Sequence, residues 1–360
     1  KKPSGVWIMA YTTIDNPELH FQTKLFTGTG SGTQAVTLDG SENMQPDWVW
    51  TKDREANSSH DLYDSVRGVG KRIRSDGNGA EATNSDMITA FSTDGFTVGT
   101  QDGVQYSTND GVAWCWKAGT SFSNDASSTG VGSLDSSGSK NTTAGFSIIS
   151  FTGTESGTPS IAHGLSSKPE WILSKARDVS DNFMVFHGSF SAQEYISLNT
   201  TGAQADASSV WNSLPSSTVI NMGDNAGVND DGAMIMYAFH SVKGFSKFGS
   251  YTGNGNADGS FVYLGFKPAW LMIKESSGNG NDWLIFDNKR DTFNVASTLI
   301  IANGSGQEQT GQSFNFIDLL SNGFKCRGSD GRMNSSGSTY IYMAFAESPF
   351  VNSNGVPNNA

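Results

Sequence analysis

Cysteine is nearly absent from this chain: Cys115 and Cys326 are the two copies in 360 residues. A chain so poor in cysteine is no disulfide scaffold and fits folding in a reducing cytoplasm. The pair occupy unrelated positions, so both read as buried free thiols. The five histidines show no His-x-x-x-His spacing and no Cys-x-x-Cys accompanies them, which argues against a zinc centre. Also missing are a Gly-x-Ser-x-Gly elbow and a P-loop, which leaves two common catalytic readings without their motif. No apolar run approaches the ~18 residues of a membrane helix. Charge is scarce at 16%, and the net charge of −12 argues against binding nucleic acid through its phosphates.

Glycine and aromatic residues are abundant: 42 Gly, 22 Phe and 9 Trp. Aromatic segments joined by Gly, Asn and Asp turns predict an all-β protein. Two stretches, 83–91 and 312–320, are each read as holding a helical turn. The chain also repeats itself. Pro46-Asp47-Trp48-Val49-Trp50-Thr51-Lys52 returns as Pro169-Glu170-Trp171-Ile172-Leu173-Ser174-Lys175 and as Pro268-Ala269-Trp270-Leu271-Met272-Ile273-Lys274. Upstream of each Pro stands an aromatic-Thr-Gly, at Phe26, Phe151 and Tyr251. Each copy closes on an apolar run that ends at Trp116, Phe239 or Phe345. A fixed period of this kind marks one structural unit used in tandem.

The spacing predicts an N-terminal arm (1–20), units at 21–119, 145–243 and 244–350, and a tail (351–360). The interval between the first two copies is longer, and the excess falls on residues 120–144, whose Ser/Gly/Asn composition reads as a linker. Apolar residues run unbroken after each Trp, which predicts a strand covered on both faces. The expected fold is three tandem antiparallel β-sandwich units of jelly-roll type. The alternative is a single pseudo-threefold β body whose copies share sheets.

Repetition also tests each possible site, because architecture repeats and a specific contact need not. Trp48, Trp171 and Trp270 share a position and read as core, as does Trp211. Trp7 and Tyr106 lack counterparts and are candidates for exposed contact, together with the basic cluster Arg67, Lys71, Arg72 and Arg74. The pair Asp64/Arg67 recurs as Asp287/Arg290 and reads as an ion pair at a strand end. Asp224, Asp230 and Asp231 lie in a Gly/Asn-rich loop and read first as turn formers. They are also the carboxylates that a Ca²⁺ ion or a paired-carboxylate hydrolase would use. No catalytic set and no resident cofactor is expected.

Several longer phrases carry a family resemblance. They include Asn16-Pro17-Glu18-Leu19-His20-Phe21, Asp64-Ser65-Val66-Arg67-Gly68, Val112-Ala113-Trp114-Cys115-Trp116-Lys117 and Tyr340-Ile341-Tyr342-Met343-Ala344-Phe345. Over residues 12–350 the chain resembles tail-fibre-like and other virion structural proteins of marine bacteriophages, including cyanobacterial phages. The resemblance implies a non-enzymatic virion appendage, assembled in the host cytoplasm and acting outside the cell. It implies a homo-oligomer, as a trimer, that meets other virion proteins and a host-surface glycan or protein, without nucleic acid or membrane insertion. The alternatives are a purely structural decoration or filament subunit, and a surface lectin or carbohydrate-active domain.

Overall fold

The structure, a computed structural model, describes residues 11–101, 108–278, 280–310 and 316–358. Three main antiparallel sheets share one strand order. In the first sheet, Phe21–Thr27 pairs with Asp110–Trp116, which pairs with Trp48–Asp53 and then Asp61–Asp64. The second repeats this with Phe146–Thr152, Ala233–Phe239, Trp171–Ala176 and Met184–His187. The third uses Ser246–Thr252, Thr339–Pro349, Phe266–Glu275 and Leu284–Asp287. Even the register matches: Trp48, Trp171 and Trp270 stand opposite Trp116, Phe239 and Phe345.

A smaller sheet covers one face of each. These are Gln34–Thr37 with Gly95–Val98 and Ile88–Ser92, then Ser160–Ala162 with Val219–Asn221, then Phe261–Tyr263 with Gly323–Cys326 and Ile317–Leu320. Successive strand residues face opposite ways, and both faces of each main sheet are covered. Val49, Ile172 and Leu271 therefore enter the separate cores between large and small sheets. Trp48, Trp50, Trp171, Leu173, Trp270 and Met272 enter one common core on the other side. That is the physical reason for the unbroken apolar runs.

The common core closes as a ring. Trp48 of the first sheet stacks on Tyr237 of the second, with ring centroids 4.6 Å apart. Trp171 of the second meets Phe248 and Trp283 of the third at 6.3 and 5.8 Å. Trp270 of the third meets Trp116 and Phe21 of the first at 5.5 and 6.4 Å. The all-β sandwich fold is as expected, whereas the alternative of shared sheets is not seen. The sandwiches keep separate sheets, yet they converge on a single core.

Two expectations need correction. Residues 120–144 are not a linker. Thr120–Asn124 and Ser136–Asn141 form a hairpin that extends the second sheet beyond Phe146–Thr152. An edge hairpin with one solvated face needs few apolar residues, so its composition resembles that of a loop. Residues 83–91 hold no helix, since Ile88–Ser92 is a strand. In 312–320 the described part carries the strand Ile317–Leu320. One-turn helices form instead at Ala126–Thr129, Ala226–Asn229 and Gly331–Asn334, where Asp125, Asn225 and Asp330 accept a backbone N–H in the first turn. Cys115 and Cys326 are buried and unbridged. Near the ends, Asp15 accepts a hydrogen bond from the Ser353 N–H at 2.7 Å.

Several polar groups at the sheet junctions are hydrogen-bonded within the chain. The motif lysines Lys52, Lys175 and Lys274 are fully buried. Their ammonium groups donate to backbone carbonyls, as Lys274 does to Thr201 at 2.9 Å across the second–third junction. Burial lowers all three pKa values to about 8. At the first–third junction, His60 accepts from Trp50 Nε1–H through Nδ1 at 2.9 Å, so its Nε2–H donates to the Ile301 carbonyl at 3.0 Å. This arrangement requires a neutral ring, and burial lowers the His60 pKa to about 3.

An unfolded histidine takes its proton near pH 6.5, whereas His60 in the fold stays neutral down to about 3. Below pH 6.5 the unfolded chain therefore binds the extra proton, and stability falls as pH falls. His60 alone is expected to cost about 2 kcal/mol at pH 5 relative to pH 7. Comparing Tm against pH for the wild type and His60→Gln measures this. Parallel curves between pH 7 and pH 5 would contradict it.

Candidate functional site

The basic cluster is paired with carboxylates within the chain. Arg67 is buried, and its guanidinium donates to the Asp64 carboxylate, to Glu81 at 3.2 Å and to the Leu62 carbonyl at 3.0 Å. Asp64 also accepts from the Tyr237 hydroxyl of the second sheet at 2.6 Å, and Glu81 accepts from Arg177 at 2.9 Å. Arg72 and Arg74 both reach Asp61, at 3.5 and 2.9 Å, and Lys71 lies 3.6 Å from Glu81. These cations neutralise carboxylates of their own chain, several of them brought together by the first–second junction. The Asp287/Arg290 pair is likewise buried: Arg290 bonds Asp287 at 2.6 Å and Glu308 at 3.2 Å, Asp287 accepts from Trp114 at 3.0 Å, and Arg54 reaches Glu308 at 2.9 Å. At the second–third junction His187 and Phe190 take these places, packed ring against ring at 5.6 Å.

The loop carboxylates are not assembled into a metal cage. Asp224 is exposed and precedes the one-turn helix Ala226–Asn229, while Asp230 and Asp231 follow it. Burial raises the Asp230 pKa, and the charges of Asp178, Asp231 and Asp181 raise it further. Among the described residues no group of three or more His, Cys, Asp or Glu side chains is placed to hold a metal ion. Trp7 and Tyr106 lie outside the described residues.

A cleft of about 490 Å³ opens where the second and third sheets meet. Glu170, the variable residue of the second Pro-x-Trp motif, forms part of its wall, with its carboxylate held by the Ser241 N–H at 2.8 Å and by the Ser241 hydroxyl. Lys247 and Phe248 come from Ser246–Thr252, which is left as the edge of the third sheet. In the second sheet the hairpin 120–141 occupies that side. Tyr263 comes from the small sheet of the third unit, and Tyr11 from the chain before the first sheet. These residues are 54% and 46% exposed, unlike the buried Trp and Phe of the cores. Lys243 lies over the Tyr11 ring at 5.1 Å and Lys247 over the Tyr263 ring at 5.6 Å. Lys247 also donates to the Tyr263 carbonyl at 2.6 Å. Burial lowers the Lys247 pKa, and the Glu170 charge opposes that shift.

Equivalent register positions show that the fold does not require these residues. Tyr263 stands opposite Gly323, as Thr37 stands opposite Gly95 in the first unit. Phe261, also exposed, corresponds to Ala35 there. Around the buried Ile161 the second unit has Ser160 and Ala162. Lys247 corresponds to Gln22 and Ser147. Small or neutral side chains therefore suffice for this architecture, and an exposed aromatic pair with an ammonium is specific to the third unit. The non-repetition rule that singled out Trp7 and Tyr106 applies equally to Tyr263, but it needs the strand register, since the loops before these strands differ in length.

Among the described residues lining it, the cleft holds one carboxylate, Glu170. Hydrolysis by paired carboxylates has no second partner there. The arrangement suits binding: two amphipathic rings, two ammonium groups and one fixed acceptor around a solvent-filled gap. A larger groove of about 770 Å³ follows the hairpin, lined by Ser123, Asp125, Asp135 and Arg177 among others. Its one aromatic wall residue, Phe151, is buried, so it offers no ring face.

No curated protein and no solved structure matches this chain. A family described as a domain of unknown function, DUF7483, matches residues 16–349, and the chain belongs to that family.

Proposed function

We propose that this protein is a non-enzymatic recognition body of a bacteriophage virion appendage, of the tail-fibre-like kind its sequence resembles. In this reading it is assembled in the host cytoplasm and acts outside the cell as part of the virion. It functions as a homo-oligomer, as a trimer, beside other virion proteins. The cleft between the second and third sheets contacts a glycan on the host surface. The observation that carries the reading is the exposed pair Tyr11 and Tyr263 flanking that cleft, with Tyr263 at a position where the equivalent units carry Thr37 and Ala162. Tyrosine brings a large contact area at little entropic cost, and its hydroxyl tolerates water. Several copies on one appendage would add avidity to a weak single contact.

Labelled protein is expected to bind host cells, and Tyr263→Ala is expected to weaken that binding about tenfold or more. Tyr263 is exposed, so its loss should leave stability within about 0.5 kcal/mol. Equal cell binding by wild type and variant, with both folded, would contradict the reading.

A further inference from the structure

We infer that the cleft selects an acidic saccharide, one whose pyranose rings carry carboxylates; this rests on the glycan-binding reading above. Each wall presents the same combination, an ammonium over one face of a partly exposed tyrosine ring: Lys243 with Tyr11 and Lys247 with Tyr263. A uronic acid matches such a pair with two faces. Its apolar C–H face lies on the ring, and its carboxylate turns to the ammonium.

The local charge supports an anion. The chain carries 35 acidic residues against 23 Lys and Arg. The cleft reverses that balance with two lysines and one carboxylate. Among the described residues neither Lys243 nor Lys247 makes an ion pair, whereas Arg54, Arg67, Arg72, Arg74, Arg177 and Arg290 all do. The carboxylate nearest in the wall, Glu170, is already engaged by Ser241. Two cations held at a gap in an acidic protein, with no carboxylate within ion-pair distance among the described residues, suit a carboxylate supplied from outside. Neither lysine is dictated by the fold. The residue equivalent to Lys247 is neutral in both other units, and the third residue before each first main strand position is Glu18, Thr143 or Lys243. A cleft of about 490 Å³ is within the roughly 300–1,000 Å³ range of sites that enclose small ligands.

The test uses the full chain and two probes measured by calorimetry. One is an α-1,4-linked tetragalacturonate. The other is the same chain with its carboxylates reduced to alcohols. The acidic probe is expected to bind about tenfold more tightly than the neutral one. The double variant Lys243→Gln/Lys247→Gln should lose that preference while keeping the weaker binding to the neutral probe. Lys243→Arg/Lys247→Arg should retain it. Tyr263→Ala should weaken both probes alike. Equal binding of the two probes by wild type would overturn the inference and leave the glycan reading standing. Binding of neither probe by folded wild type would overturn both. A preference that survives the Lys→Gln pair would also overturn the inference, because the selecting charge would then lie elsewhere.

Discussion

Replacing Asp64 with alanine is expected to destabilise the protein by about 3–5 kcal/mol, the usual cost of removing one member of a buried ion pair. Asp64 accepts from the Arg67 N–H at 2.7 Å, from the Arg67 guanidinium and from the Tyr237 hydroxyl at 2.6 Å. All three donors are buried, so deletion leaves the Tyr237 phenol, the Arg67 Nε–H and the Arg67 backbone N–H without their acceptor. Glu81 retains one contact to Arg67 at 3.2 Å, which limits the loss without cancelling it. The double variant Asp64→Ala/Arg67→Met removes both charges, and it should be less damaging than Asp64→Ala alone. Urea denaturation of the wild type, the two single variants and the double variant gives the coupling directly. A cost below about 1 kcal/mol for Asp64→Ala would mean that the junction tolerates the unpaired cation, contrary to this account.

Trp171→Ala should be comparably severe, at about 3–5 kcal/mol, for a different reason. The ring is 2% exposed and packs among His187, Trp283 and Phe248 with centroids 5.7, 5.8 and 6.3 Å away. Two of those partners belong to the third unit, so the cavity opens at the second–third junction. Folded protein should show a Tm lowered by several degrees, whereas Tyr263→Ala serves as the exposed-aromatic control. An unchanged Tm for Trp171→Ala would remove the basis for a shared core.

The elements legible in the sequence are those marked by repeated, unbroken apolar runs. Trp48-Val49-Trp50 and its two relatives had to be strands with both faces covered, and Trp211 at a repeated apolar position is buried. Three features were not legible. The hairpin 120–141 looks like a loop because its strands lie at the sheet edge and ask little of the side chains beyond Ser136 and Ser139, which are buried. The cluster from Arg67 to Arg74 looks like a solvated charge run because Arg177 and Tyr237, which complete its network, lie more than ninety residues away. The cleft was hidden for a related reason. Tyr11, Glu170, Lys243 and Tyr263 come from four separate segments, and only the pairing register shows that Tyr263 takes a position held elsewhere by Thr37.

The ring of aromatic contacts has a consequence for how the chain is threaded. Each unit hands its tryptophan to the next, and the third hands its own back to the first. The third unit meets the first through the same kind of aromatic packing that joins units following each other along the chain, whereas buried ion pairs at Asp64 and Asp287 mark two of the junctions and the His187–Phe190 ring pair marks the other.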